Sequence, residues 1–156
     1  MTDEYLKARK AGEKEYKARA AAGEYPFLPA LDDILPDCDL MTQRHLGIMD
    51  IPVGLIAGTK TRARQNAFSA GFMPLLDQAS EFATKWIALY DAVEKEGLRQ
   101  PVKALEYYNK FYIVEGNKRV SVSKLLDSVY IEADVIRIIP EPEDSERYRV
   151  YQEYLS

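Results

Sequence analysis

The stretch Phe111-Tyr-Ile-Val-Glu-Gly-Asn-Lys-Arg-Val-Ser-Val-Ser-Lys-Leu-Leu126 reads as a strand, a tight polar turn and a helix. Phe111 to Val114 is an aromatic and β-branched run that suits a pleated, half-buried surface. Gly116 breaks it, because a residue without Cβ lets the backbone turn sharply and lets another group come close. From Val120 the apolar residues Val122, Leu125, Leu126 and Val129 follow helical spacing. Glu115, Asn117, Lys118 and Arg119 stand between the two elements. A helix start carries unpartnered N–H groups and the positive end of the dipole, so acids are the ordinary choice there and cations are mildly unfavourable. Lys118 and Arg119 in that place imply an anion, and the turn reads as a phosphate cradle.

The chain has 156 residues, enough for one domain with a real core and a small appendage. Its net charge of −4 argues against a broad nucleic-acid surface, which needs clustered excess cations, and leaves room for a local basic site. Cys38 is the single cysteine, so neither an internal disulfide nor a thiolate metal cluster is expected. There is no long apolar run and no leader-like segment, and the expectation is a cytoplasmic protein with no membrane segment.

Upstream of the turn, Pro101 to Tyr107 has the composition of a strand and Asn109-Lys110 that of a turn. Ser80 opens the best helix of the chain. Phe82, Trp86, Leu89, Tyr90 and Val93 form one stripe, Gly97 sits where a C-terminal cap belongs, and Trp86 reads as core rather than as a ligand-stacking ring. Thr59-Lys60-Thr61-Arg62-Ala63-Arg64-Gln65-Asn66 holds three cations and no acid. A solvated loop and a second phosphate contact both fit that composition. Leu46 to Ile51 reads as a strand ended by Pro52, and Ile131 to Ile139 as an internal strand, apolar on both faces toward its end.

The chain ends are plainer. Thr2 to Ala22 reads as a solvated helix with a thin apolar face (Tyr5, Leu6, Tyr16), packing weakly or docking on something else, and stopped by Gly23. Tyr25 to Pro29 reads as a proline-punctuated connector, with a short helical turn over Asp32 to Leu35. Asp32, Asp33, Asp37 and Asp39 read as caps and turn residues rather than as a metal site. His45, the single histidine, precedes a strand and reads as structural. Glu143 to Ser156 reads as a helix with Tyr148, Tyr151, Tyr154 and Leu155 on one face and no stop signal, as if leading into a further module or docking on a partner. The division expected is a helical extension and connector over 1–44, a domain over 45–140, and a terminal helix over 141–156.

In order and spacing these parts resemble the N-terminal domain of the ParB/sulfiredoxin superfamily. The residues that carry the resemblance are Asp50-Ile51-Pro52, the loop Lys60 to Arg64, the helix Ser80 to Glu96, Gly97-Leu98-Arg99-Gln100-Pro101-Val102, the G-x-x-R turn Gly116-Asn117-Lys118-Arg119, and Tyr130-Ile131-Glu132-Ala133-Asp134-Val135. Together they span about Leu46 to Ile139. The chain is also similar to the leading domain of some bacterial proteins. The resemblance implies an α+β fold, a small mixed sheet flanked by helices, with the helices at both chain ends added to it. It further implies nucleotide or phosphate binding at the G-x-x-R turn, with ATP, ADP or CTP and Mg²⁺ as the expected cofactors.

Three departures narrow the activity. Partition-type members carry Glu after the motif glycine, where this chain has Asn117, which puts hydrolysis in doubt. Sulfiredoxins place a cysteine inside the motif, where this chain has Asn117 and Lys118, and Cys38 lies outside the matched region, so sulfinic-acid reduction is not expected. Members reading Asp-Gly-x-His-Arg are nearest, with Glu115 for the acid and Lys118 in place of histidine, and a lysine is a poorer general base near neutral pH.

The expected site therefore consists of Gly116, Asn117, Lys118, Arg119 and Ser121 around the phosphate. Lys60, Thr61, Arg62 and Arg64 close from the other side, and Glu115 is the catalytic candidate that orients Mg²⁺, a water or a hydroxyl. No protein metal-ligand set is read. Phosphotransfer or NTP hydrolysis is the activity such a frame supports. Two other readings stand beside it. One is a DNA-associated partition-type regulator, though no helix-turn-helix follows the domain. The other is a non-catalytic domain that binds a protein partner through its tyrosine-rich terminal helices.

Overall fold

The computed structural model describes residues 2–98, 100–140, 146 and 149–150. Of the helix expected over Glu143 to Ser156, Glu146, Arg149 and Val150 are described and helical; the rest of it lies outside the described residues. Among the described residues no helix is long and apolar enough to cross a membrane.

The fold is mixed α+β. Five strands form one sheet, β1 (Thr42–Pro52), β2 (Ile56–Thr59), β3 (Val102–Tyr107), β4 (Lys110–Glu115) and β5 (Tyr130–Ile139), in the order β1-β5-β3-β4-β2. The β1/β5 and β3/β4 pairs are antiparallel, and β3/β5 and β2/β4 are parallel. Four helices stand with the sheet among the described residues up to Ile139, α1 (Thr2–Ala21), α2 (Leu31–Ile34), α3 (Glu81–Glu96) and α4 (Asn117–Leu125). β5 lies between β1 and β3, as its apolar character on both faces requires. The hairpin turn falls at Tyr108-Asn109, one residue before the expected position. Both residues have positive φ, 47° and 64°, the conformation a two-residue hairpin favours.

Side chains alternate along the strands and give the sheet two covered faces. On one, Val102, Ala104, Phe111, Ile113, Ala133 and Val135 pack with Val120 of α4 and with Phe68 and Phe72. On the other, Leu105, Tyr112 and Ile138 pack with Leu31 and Cys38 of the connector. The helices add a third layer, in which Trp86 is fully buried, edge-on to Tyr5 at 5.3 Å and stacked on Tyr90 at 5.6 Å. Ser80 caps α3 by accepting from the Ala83 N–H at 3.1 Å.

Of the two expectations for α1, weak packing and docking, the helix docks: it is fastened along the 71–76 segment, residue by residue, every three or four positions. The Tyr5 hydroxyl donates to the Leu76 carbonyl at 2.6 Å, Arg9 Nε donates to the Leu75 carbonyl at 3.4 Å, and Glu15 Oε1 accepts from the Gly71 N–H at 2.9 Å. Between them Gly12 lies so close to Pro74 that a Cβ there would stand 2.6 Å from the Pro74 carbonyl oxygen. Tyr5 and Ala8 are fully buried beneath this seam. Val129, expected on the α4 stripe, falls past the end of that helix and is 70% exposed.

A buried ion pair crosses from β3 to β5. Glu106 Oε1 accepts from Arg137 Nε at 2.7 Å, and Oε2 accepts from the Asn109 N–H at the hairpin at 2.6 Å. Removing one partner strands the other in a low-dielectric core. Glu106→Ala should cost about 3–5 kcal/mol in chemical denaturation, while the double variant Glu106→Leu/Arg137→Met should match or exceed the wild type. Equal losses in the single and double variants would show that the pair is not the stabilising unit.

Candidate functional site

The 111–126 stretch folds as its sequence requires. β4 ends at Glu115, Gly116 takes a left-handed conformation at φ 118°, and α4 starts at Asn117. A side chain at Gly116 would be doubly unfavourable, since a Cβ there would also stand 2.6 Å from Val102 Cγ1. No side chain caps α4, so the N–H groups of its first turn have no intrahelical acceptor, and the turn contains no acid.

A cavity of about 470 Å³ opens at this turn, lined by Glu115, Gly116, Asn117, Lys118 and Arg119 together with Phe68, Phe82, Lys85, Leu89 and Val114. Five of the expected site residues are thus brought together. Asn117 Nδ2 donates to Thr59 Oγ1 at 3.1 Å, and Thr59 Oγ1 donates in turn to the Ile113 carbonyl at 3.1 Å. That chain fixes the amide, and Asn117 Oδ1 is left buried without a hydrogen-bond partner. Lys118 Nζ lies 5.3 Å from the centre of the Phe82 ring. Arg119 Nη1 donates to the carbonyls of Gln100 and Pro101 at 3.0 and 3.1 Å, so the guanidinium holds the start of β3 as well as lining the cavity. Glu115 Oε2 stands 3.4 Å from Lys103 Nζ, with both side chains largely exposed.

The other expected residues are elsewhere. Ser121 is fully buried, and its Oγ accepts from Trp86 Nε1 at 2.9 Å, so its hydroxyl fastens α3 to α4 and does not line the cavity. Lys60 is buried on the Cys38 side, with Nζ 2.6 Å from Asp32 Oδ1 and 3.2 Å from Asp39 Oδ1. Arg62 is exposed and paired with Asp33. Thr61 is exposed. The backbone of Arg64 lies in a 3₁₀ turn over Arg62–Ala67, and its side chain lies outside the described residues. The cations of the basic loop that are described therefore neutralise acids of the connector, which an inspection of the loop by itself does not reveal. Phe68, Leu89 and Val114 are lining groups that sequence reasoning missed, and so are Lys85 and Phe82. The three-residue spacing of Phe82 and Lys85 on α3 is the signal that puts them on one helix face.

Two environments shift proton affinities in this region. Burial lowers the Lys60 ammonium, but its hydrogen bonds to Asp32 and Asp39 outweigh it and push the group up to about 12 from its ordinary 10.5. Burial also pushes the Cys38 thiol up, which leaves it a poor nucleophile. The Lys60 contribution to stability is complete below pH 10.5 and fades as the pH rises through about 12, where the folded lysine loses its proton. Denaturation titrations at pH 9 to 12 should therefore show the stability gap between wild type and Lys60→Met closing across about that last unit and a half. A constant gap would mean that the lysine stabilises by packing, not by charge.

No protein-family model matches the chain, and no curated protein matches it. Among solved structures the chain is similar to the sulfiredoxin of Arabidopsis thaliana, with a TM-score of 0.40 and 19% identity, over 56% of this chain and 82% of that one.

Proposed function

We propose that the protein binds a phosphorylated ligand, a nucleotide among the candidates, at the turn from Gly116 to Arg119. The observation that carries this reading is the placement of Lys118 and Arg119 on one cavity at the uncapped start of α4, in a chain whose net charge is −4, with Lys85 beside them at the cavity while paired with Glu81 at 3.0 Å. Cations at a helix start repel the dipole unless an anion lies between them. Backbone N–H groups supply directional bonds to phosphate oxygens, lysines supply point charge, and the free edge of a guanidinium supplies paired donors. Glu115 is the single carboxylate in the lining. In a phosphotransfer or hydrolytic reaction it would orient a hydroxyl or a water, with Mg²⁺ arriving on the phosphates.

The test is a thermal-shift and calorimetric titration with inorganic pyrophosphate, ADP, ATP and CTP, each with Mg²⁺. A ligand at a hundred times its Kd should stabilise the fold by about 2.7 kcal/mol. Lys118→Ala and Lys85→Ala should each weaken binding about tenfold or more, the worth of one charge-assisted hydrogen bond. These two are better probes than Arg119→Ala, which also removes the bonds to Gln100 and Pro101. If none of the four anions shifts the melting temperature at millimolar concentration, the reading fails.

A further inference from the structure

The cavity at the turn does not end at Lys118. Phe82, Lys85 and Lys118 also line a second cavity of about 330 Å³, together with Asn66, Leu76 and Glu81, whose Oε1 stands 3.0 Å from Lys85 Nζ. Asn66 and Leu76 in turn line a third, of about 290 Å³, with Tyr16, Phe27 and Leu75. The path thus runs from the cations of α3 and α4, past the Phe82 ring, to a cleft of aromatic and aliphatic side chains. Glu13 and Lys17, one charge of each sign, complete the lining of that cleft.

α1 builds the far end. The Tyr16 and Phe27 rings lie 5.4 Å apart. The opposite wall, Leu75 and Leu76, is held by the bonds from Arg9 and Tyr5 to their carbonyls. Those bonds occupy the polar backbone of the wall and leave the leucine side chains to the cleft. Tyr16, Phe27 and Leu75 are half-buried and Leu76 is 37% exposed, so the cleft has apolar surface still to bury.

We infer that the ligand of the phosphate cradle carries an apolar arm, alkyl or aryl, which runs over Phe82 into the cleft between α1 and Leu75-Leu76. The inference rests on the phosphate reading above and extends it to the ligand's other end. The cavities adjoin through shared residues, and their lining changes from Lys118 and Arg119, past the Lys85–Glu81 pair, to the rings and leucines of the third. One amphiphilic anion matches that change, with its charge at Lys118 and Arg119 and its hydrocarbon against Tyr16 and Phe27. A purine or pyrimidine fits the far cleft less well, because base edges need several donors and acceptors and this lining is chiefly hydrocarbon.

The experiment is a calorimetric series on the whole chain with inorganic phosphate, then methyl, butyl, hexyl and octyl phosphate below their micelle concentrations, with ADP alongside. Affinity should rise from butyl to octyl, by up to about fourfold per fully buried methylene. Tyr16→Ser and Leu75→Ser should flatten that rise and leave methyl phosphate binding unchanged. Tyr16→Phe, which keeps the ring, should retain it. Methyl phosphate binding with no dependence on chain length would overturn the inference and leave the phosphate reading standing. ADP binding more tightly than octyl phosphate would overturn it in favour of a nucleoside. Failure of every member of the series, inorganic phosphate included, would remove both.

Discussion

One residue of left-handed backbone governs where the groups of the cavity stand. Gly116 turns the chain from β4 into α4 without a loop, and Val102 of β3 fills the space its side chain would need. The start of α4 is thereby pressed against the start of β3, and Arg119 secures the contact through the Gln100 and Pro101 carbonyls. Two residues further along the helix, Ser121 accepts from the Trp86 N–H and ties α3 to α4. Three elements that meet at the cavity are thus held by groups within five residues of the glycine. An L-residue at that position would strain the turn and displace all three.

The distribution of charge follows from which cations found acids during folding. In the loop after β2, Lys60 reaches Asp32 and Asp39, and Arg62 reaches Asp33. The connector that carries those acids covers one face of the sheet, and the cavity opens elsewhere, against Phe68 and Phe82 of the other face. Lys118 and Arg119 line the cavity with a single carboxylate, Glu115, which stands beside Lys103, and Lys85 lines it while paired with Glu81. A protein can therefore be acidic overall and hold a local field suited to an anion. What a diffusing ligand meets in the last few ångströms is the local arrangement, since charges beyond a Debye length of about 8 Å are screened.

The parts of the fold that were legible in sequence are those written in local code. The glycine between a β-branched run and a helical period, the Ser80 cap and the hairpin composition each act within a few residues, and each took its expected form, the hairpin turn one residue early. The misreadings share a cause in contacts made across long separations. Ser121 looked like a ligand hydroxyl because it lies near the turn, but a fully buried tryptophan needs an acceptor for its N–H, and Ser121 supplies it from 35 positions away. The basic loop looked unpaired because its acids precede it by up to 29 residues. The docking of α1 was invisible to apolar periodicity for a different reason. Its seam uses Tyr5, Arg9, Gly12 and Glu15, a stripe at helical spacing in which hydrogen bonds and close backbone approach replace apolar bulk.

That seam gives α1 two roles. Tyr5 and Ala8 are fully buried beneath it, and each of its hydrogen bonds adds about 0.5–1.5 kcal/mol net. The same docking supplies Tyr16 and orders Leu75 and Leu76, the walls of the apolar cleft. A ligand that fills the cleft binds only the docked arrangement, so its binding and the docking of α1 must favour each other by the same free energy. The N-terminal helix is then both part of the core, through Tyr5 and Ala8, and a wall of the cleft, through Tyr16.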